Sequence, residues 1–323
     1  MIRKPMCYLL YSLLTVCLIN SCNAQNKESG KSNVKQNAEI CSQETLQKGD
    51  TTSDSYYFGE EPPGLTPKIF APDIISSKGN YEFKIAFTPD GKEIYFTRGL
   101  GSGKTERHIM YTKLTENGWT KPEIVTFSGT YMDEYPSISP DGKKLFFNSN
   151  HPLPALWNRK TASYIFNLWI VERNGDGWGE PYPINAEANK GYCINYIDNK
   201  GSIFFNNAKF SKIAQSNYDN GKYSKPIELD TPIKSTGCYF APDNNYVIFS
   251  SGNPGYGKLD LCVSFLKIDG TWGKPINLGK SINTSKSESA PVISPDGKYL
   301  FYNSGGDFHW VSIKIIEELN SKK

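Results

Sequence analysis

"SISPDGKKLFFNSN" spans residues 137–150, and "AFTPDGKEIYFTRG" from Ala86 and "VISPDGKYLFYNSG" from Val292 repeat its pattern closely. In each, a short apolar segment enters Pro-Asp-Gly and a second apolar segment leaves it. Proline presets φ at one corner of a tight turn and glycine accepts a positive φ at another, so the unit reads strand, turn, strand. Alignment on the motif proline gives Pro89, Pro140, Pro242 and Pro295, with a degenerate copy centred on Asp198 in "YIDNKGSIFFNN". The steps of 44 to 58 residues between these five positions match propeller blades and exceed ankyrin or tetratricopeptide units.

The segments after the turn, "EIYFT", "KLFFN", "SIFFN", "YVIFS" and "YLFYN", are apolar on consecutive positions. Such strands bury both faces, which stacking of blade on blade achieves. A third strand follows in each copy: "HIMYT", "NLWIV", "SKIAQ", "DLCVS" and "DFHWV". The first four of these lead to Asn117-Gly118, Asp176-Gly177, Asn220-Gly221 and Asp269-Gly270, each expected to form a two-residue hairpin turn. An aromatic (Trp119, Trp178, Tyr223 or Trp272) and then a proline (Pro122, Pro181, Pro226 or Pro275) open a fourth strand, and proline is tolerated there because the outermost strand is an edge. The fifth copy lacks this strand, whereas "TPKIFAPDII" near the start matches "KPEIVTFSGT", with Pro67 and Phe70 at the proline and apolar positions. The expectation is an all-β, five-bladed β-propeller of four-stranded antiparallel blades, the last closed by an N-terminal strand so that no edge stays open.

"TPDGKEIYF", "SPDGKKLFF", "APDNNYVIF" and "SPDGKYLFY" resemble the WD40-like Pro-Asp propeller repeats of TolB-like periplasmic proteins and bacterial envelope lipoproteins. The resemblance covers nearly the whole chain after its leader. It implies the propeller fold and an envelope location, but the family includes binding scaffolds, sensors and enzymes, so function must come from the site.

The ends divide the 323 residues further. Arg3 and Lys4 precede an apolar run from Cys7 to Ile19, a secretory signal too short for a comfortable membrane span. "LINSC" resembles a lipoprotein box, which makes Cys22 the lipidation site; cleavage after Ala24 is the alternative. Domain boundaries are therefore set at 1–22 for the signal, 23–64 for a flexible polar tether, 65–318 for the propeller and 319–323 for a polar tail. The chain is expected to be a monomer in the cell envelope, lipid-anchored to the outer membrane and facing the periplasm or the exterior. A net charge of +3, from 36 basic and 33 acidic side chains, argues against a nucleic-acid partner. Outside the leader remain Cys41, Cys193, Cys238 and Cys262, which form no zinc spacing and read as small buried thiols.

In a propeller the one-two and three-four turns share one face, and the longer two-three and four-one connections share the other. The longest departure from the repeat, 149–166, offers His151, Trp157, Arg159 and Tyr164, and the loop "RGLGSGKTER" is bounded by Arg98 and Arg107. These six residues are the candidate binding residues, since Trp and Arg are common anchors and loops carry function; an aromatic loop folded over its own blade is the other account. Seven positions before the motif proline or its equivalent stand Glu82, Asp133, Gly191, Ser235 and Glu288. Three carboxylates, Glu82, Asp133 and Glu288, thus fall on neighbouring blades, as a glycosidase acid and base would. Oxygen ligation of Ca²⁺ and local pairing with turn N–H groups are the other readings of the same acids. No cofactor fingerprint, Walker loop or nucleophile elbow occurs, and His108, His151 and His309 lack metal spacing. Neither a cofactor nor a bound metal is expected. Binding of an envelope protein or glycan through the loop-rich face is the preferred function, with a glycoside hydrolase-like enzyme as the alternative.

Overall fold

The computed structural model describes residues 56–100, 106–153, 166–185, 188, 193–206, 212–229, 231, 233, 237–252 and 255–321. Cys22, Cys41, Trp157, Arg159, Tyr164, Gly191 and Ser235 lie outside them.

Five antiparallel sheets of at least four strands each follow one another along the chain. Their inner strands are Asn80–Phe87, Asp133–Ile138, Cys193–Ile197, Cys238–Phe240 and Glu288–Ile293, and each contacts the next around a closed ring. The fifth sheet takes its outer strand from the front of the chain, with Lys68 opposite Trp310 and Ile69 opposite His309. The seam is tied further by Phe70 N–H donating to the Phe308 carbonyl (2.8 Å) and Ser312 N–H donating to that of Gly64 (3.0 Å).

The consecutive apolar residues of the second strands have the predicted explanation. Five apolar clusters occur among the described residues, one at each junction between blades. Adjacent residues of one strand serve opposite clusters: Phe96 joins the fifth-to-first junction and Tyr95 the first-to-second, while Phe147 and Phe146 divide likewise between the two junctions flanking the second blade. A strand buried on both faces cannot show alternation. Aromatics that follow the outer hairpins seal these junctions. Trp178 of the second blade donates its indole N–H to the Tyr95 hydroxyl of the first (3.0 Å), and the Tyr223 and Phe146 rings meet edge-on.

The Pro-Asp-Gly turn is a small hydrogen-bonded unit. Ser139 Oγ donates to Asp141 Oδ1 (2.6 Å), Lys143 N–H donates to the same oxygen (3.0 Å), and Lys144 N–H donates to Ser139 Oγ (2.9 Å). Thr88 with Asp90 and Ser294 with Asp296 repeat the pattern. The hydroxyl bond from Ser139 holds the Asp141 carboxyl below its usual range, outweighing the opposing effect of burial. Gly91, Gly142 and Gly297 take φ of 69°, 70° and 73°, and Asn244 fills that position in the fourth copy at 57°. The third copy keeps the turn in altered form: Asp198 stands where three of the others have Ser or Thr and the fourth has Ala241, accepting from Lys200 and Ser202 N–H, and Gly201 takes φ of 80°.

Three expectations about local structure change. Only Asn220-Gly221 forms the expected two-residue turn, with both residues at positive φ and Asp219 opposite Lys222; at the first and second blades the pairs Thr115–Gly118 and Asn174–Gly177 shift it one residue earlier. The chain packs from Tyr56 onward, upstream of position 65, because Tyr57 inserts among Phe70, Phe87, Phe301 and Trp310. At the other end Lys314–Ser321 is a helix, whose Ile315, Ile316 and Leu319 cover the fourth-to-fifth junction. No helix among the described residues is long and apolar enough to cross a membrane.

A recurring polar position links the blades. Asn148 Oδ1 accepts from Ile194 N–H of the next inner strand (3.0 Å), and Thr97 Oγ1 accepts from Tyr135 N–H (3.0 Å). Asn303 Nδ2 donates to the Glu82 carbonyl across the seam. These side chains are fully buried, so removing one strands a backbone group. Asn148→Ala is expected to lower unfolding free energy by roughly 2 kcal/mol in urea titration; a loss below about 0.5 kcal/mol would mean that this bond contributes little.

Candidate functional site

The strand-entry acids arise where a four-one connection turns into an inner strand, and the register puts Glu82 opposite Arg98, Asp133 opposite Ser149 and Glu288 opposite Ser304. All three are buried. Each is bonded within its own blade. Glu82 Oε1 accepts from Ser77 Oγ (2.7 Å) and Arg98 Nε (2.8 Å). Asp133 Oδ2 accepts from Ser128 Oγ (2.7 Å). Glu288 accepts from the hydroxyls of Thr284 and Ser304 (both 2.7 Å) and from Thr284 N–H (3.1 Å). Burial raises the Glu82 carboxyl against the pull of Ser77 and Arg98, and raises Asp133 against bonds from Ser149, Ser128 and the Gly129 N–H. This pattern is that of local turn partners. Among the described residues no group of three His, Cys, Asp or Glu side chains is arranged to hold a metal ion.

The degenerate third copy also changes which residues correspond. With Asp198 at the Ser/Thr position, Cys193, which pairs with Asn206, is the third-blade residue two places before the inner-strand bulge. In the first blade that place belongs to Glu82. Cys193, Cys238 and Cys262 are free thiols, and burial pushes Cys193 and Cys238 up to about 12, so they are not thiolate nucleophiles.

Two of the candidate binding arginines serve the scaffold. Arg98 Nη2 donates to the carbonyls of Ile74 (3.2 Å) and Ile75 (2.8 Å) while its Nε holds Glu82, so it clamps the loop that follows the closing strand. Arg107 pairs with Glu134 of the next blade and lies over the Phe83 ring at 5.6 Å. Burial raises the Glu134 carboxyl, opposed by this arginine. Sequence spacing could not reveal these partners, because they lie on other strands.

His151 belongs to an aromatic stack among the loops. Its ring is sandwiched between Tyr131, at 4.1 Å and 10°, and Trp169, at 4.2 Å and 3°. Met132 N–H donating to Asn150 Oδ1 (2.9 Å) joins the two loops that carry Tyr131 and His151. Burial lowers the His151 pKa, which keeps the stack neutral near pH 7. Tyr131 is 37% exposed, so the outer face of this stack is open on the loop-rich face. Tyr131 was missed from sequence because it lies in a different connection from His151.

No family model and no curated protein matches the chain. Among solved structures it is similar to TolB from Acinetobacter baumannii, with TM-score 0.43 and 16% identity over 71% of this chain and 53% of that one. It thus spans about half the length of that TolB chain. It is also similar to the periplasmic gluconolactonase PpgL of Pseudomonas aeruginosa, with TM-score 0.41 and 13% identity over 69% of this chain and 65% of that one. A gluconolactonase from Xanthomonas campestris matches with TM-score 0.41 and 10% identity over 77% and 94% of the respective chains. No residue role is carried over from any of them.

Proposed function

We propose that this chain is a noncatalytic envelope protein, lipid-anchored at Cys22, that binds an envelope protein or glycan through the loop-rich face of its second blade. The observation that supports it best is the engagement of Glu82 Oε1, Asp133 and Glu288 by hydroxyl, N–H and guanidinium donors of their own blades. An acid and base for glycoside cleavage must instead face a shared substrate. Tyr131, backed by the stacked His151 and buried Trp169 rings, presents an exposed aromatic ring suited to a sugar face or an aromatic side chain. Trp157, Arg159 and Tyr164, which follow His151 in the same connection in sequence, are the further candidate binding residues. The signal at 1–22 and the polar segment after it support delivery to the envelope and spacing from a membrane.

The test is a binding screen of the mature chain against peptidoglycan fragments, surface glycans and envelope proteins, with an assay for released reducing sugar. Tyr131→Ala and Trp157→Ala are expected to weaken the bound partner at least tenfold, whereas Glu82→Gln, Asp133→Asn and Glu288→Gln singly leave its affinity unchanged. Sugar release by the wild-type chain that Glu82→Gln or Glu288→Gln abolishes would overturn the reading in favour of hydrolysis.

A further inference from the structure

The opposite face carries a second feature that the loop-rich site does not use. The five inner strands and their turns enclose an axial cavity of about 340 Å³, rimmed by Pro89, Pro140, Asn199, Pro242 and Pro295. Lys84 and Asn195 both line it. Lys84 belongs to the first blade, yet its Nζ donates to the Asn195 carbonyl of the third at 2.6 Å. Because the first and third blades are not adjacent, this side chain reaches across the ring. The bulges converge there: a Cβ on Gly237 of the fourth blade would meet the Ala290 backbone at 3.6 Å and Asn195 Oδ1 at 3.8 Å.

Lys84 is only 4% exposed, and no carboxylate pairs with it among the described residues. An ammonium carries three donors, and a single carbonyl satisfies one. A buried unpaired cation is a destabilising feature. A second orphan lines the same cavity: Ser137 Oγ, on the neighbouring inner strand, is buried with no hydrogen-bond partner. The walls add Tyr196, Tyr239 and Tyr246, apolar bodies with polar tips. One cation and one hydroxyl donor beside a cavity at the small end of ligand pockets suit a monoanion with two acceptor oxygens. No arginine fork or second cation among the lining residues is available to balance a phosphate dianion.

We propose that the axial cavity binds a small organic carboxylate, with Lys84 Nζ supplying the countercharge and Ser137 Oγ a second donor. This site is separate from the loop-rich face and stands whether or not a partner binds there. The Lys84 amine, lowered to about 8 by desolvation, is charged at pH 7 and partly neutral above pH 8, and a bound carboxylate favours its charged form, so binding takes up protons above pH 8.

The probes are sodium hexanoate and sodium D-glucuronate, with hexanamide and D-glucose as uncharged counterparts and inorganic phosphate as the alternative anion, titrated calorimetrically into the mature chain. At least one carboxylate is expected to bind tenfold or more tightly than its uncharged counterpart and than phosphate. That advantage should vanish in both Lys84→Met and Lys84→Gln, fall severalfold in Ser137→Ala, and be lost in Tyr239→Trp, which fills the cavity without altering its charge. Far-UV circular dichroism reports whether each variant is folded. Equal binding of charged and neutral partners, carboxylate affinity unchanged in folded Lys84→Met or Lys84→Gln, or no carboxylate binding at tens of millimolar would each overturn the assignment.

Discussion

A Phe70→Ala chain is expected to lose about 4 kcal/mol of unfolding free energy in urea titration, the range for emptying a buried aromatic site. Phe70 has no exposure and meets Phe301 and Trp310 edge-on at 4.9 and 5.4 Å, with Phe58 and Tyr57 on its other sides. It follows directly on a closing strand of only two residues, so side-chain packing carries much of the hold between the front of the chain and the last blade. The ladder contributes few hydrogen bonds, each worth about 1 kcal/mol net; the ring side chain is the main anchor. Ile69→Ala, at a 44% exposed neighbour, should stay within about 0.5 kcal/mol of wild type. A Phe70→Ala loss below about 1 kcal/mol would show that ring closure does not depend on this junction.

Lys84→Met is expected to make the ligand-free chain more stable at pH 7. Burial lowers the Lys84 pKa from 10.5 to about 8, so the unfolded chain binds the extra proton between those values. Stability of the wild type therefore rises as pH climbs from about 8 to 10.5, by roughly 3 kcal/mol at 1.4 kcal/mol per pH unit. Cys238, the titratable neighbour that acts on Lys84, is pushed up to about 12 and stays neutral over that window. Below pH 8 the folded protein carries the full penalty of an unpaired buried charge. Methionine removes it, and leaves the Asn195 carbonyl without its donor, a loss of about 1 kcal/mol. The net gain is roughly 2 kcal/mol at pH 7, and it disappears by pH 10.5. Denaturant titrations of both proteins at pH 7 and pH 10 check this. A Lys84→Met protein less stable at pH 7, or a gain independent of pH, would contradict the burial of a charged amine.

The blade count, the four-strand unit and the closing strand were legible because they rest on local chemistry repeated in sequence: Pro-Asp-Gly turns, doubly apolar second strands, and the match of "TPKIF" to "KPEIV". The Asn of "FFNS" and "FYNS" was equally visible, yet its role in bonding the next blade needed the neighbour's backbone in place. The helix Lys314–Ser321 went unread because its apolar residues are too few to stand out without the fourth-to-fifth junction that they cover. Of the candidate site, His151 is stacked between Tyr131 and Trp169, Arg98 and Arg107 proved to be clamps, and the acids found local partners.

By itself the amino-acid order determined that the chain would form five like sheets in a ring, since turn geometry and two-faced burial are properties of contiguous residues. Only the tertiary structure decided which polar groups would be satisfied and which stranded. Lys84 and Asn195 are separated by 111 residues, and nothing local to either indicates that ring closure will place an ammonium from one blade against a carbonyl two blades away.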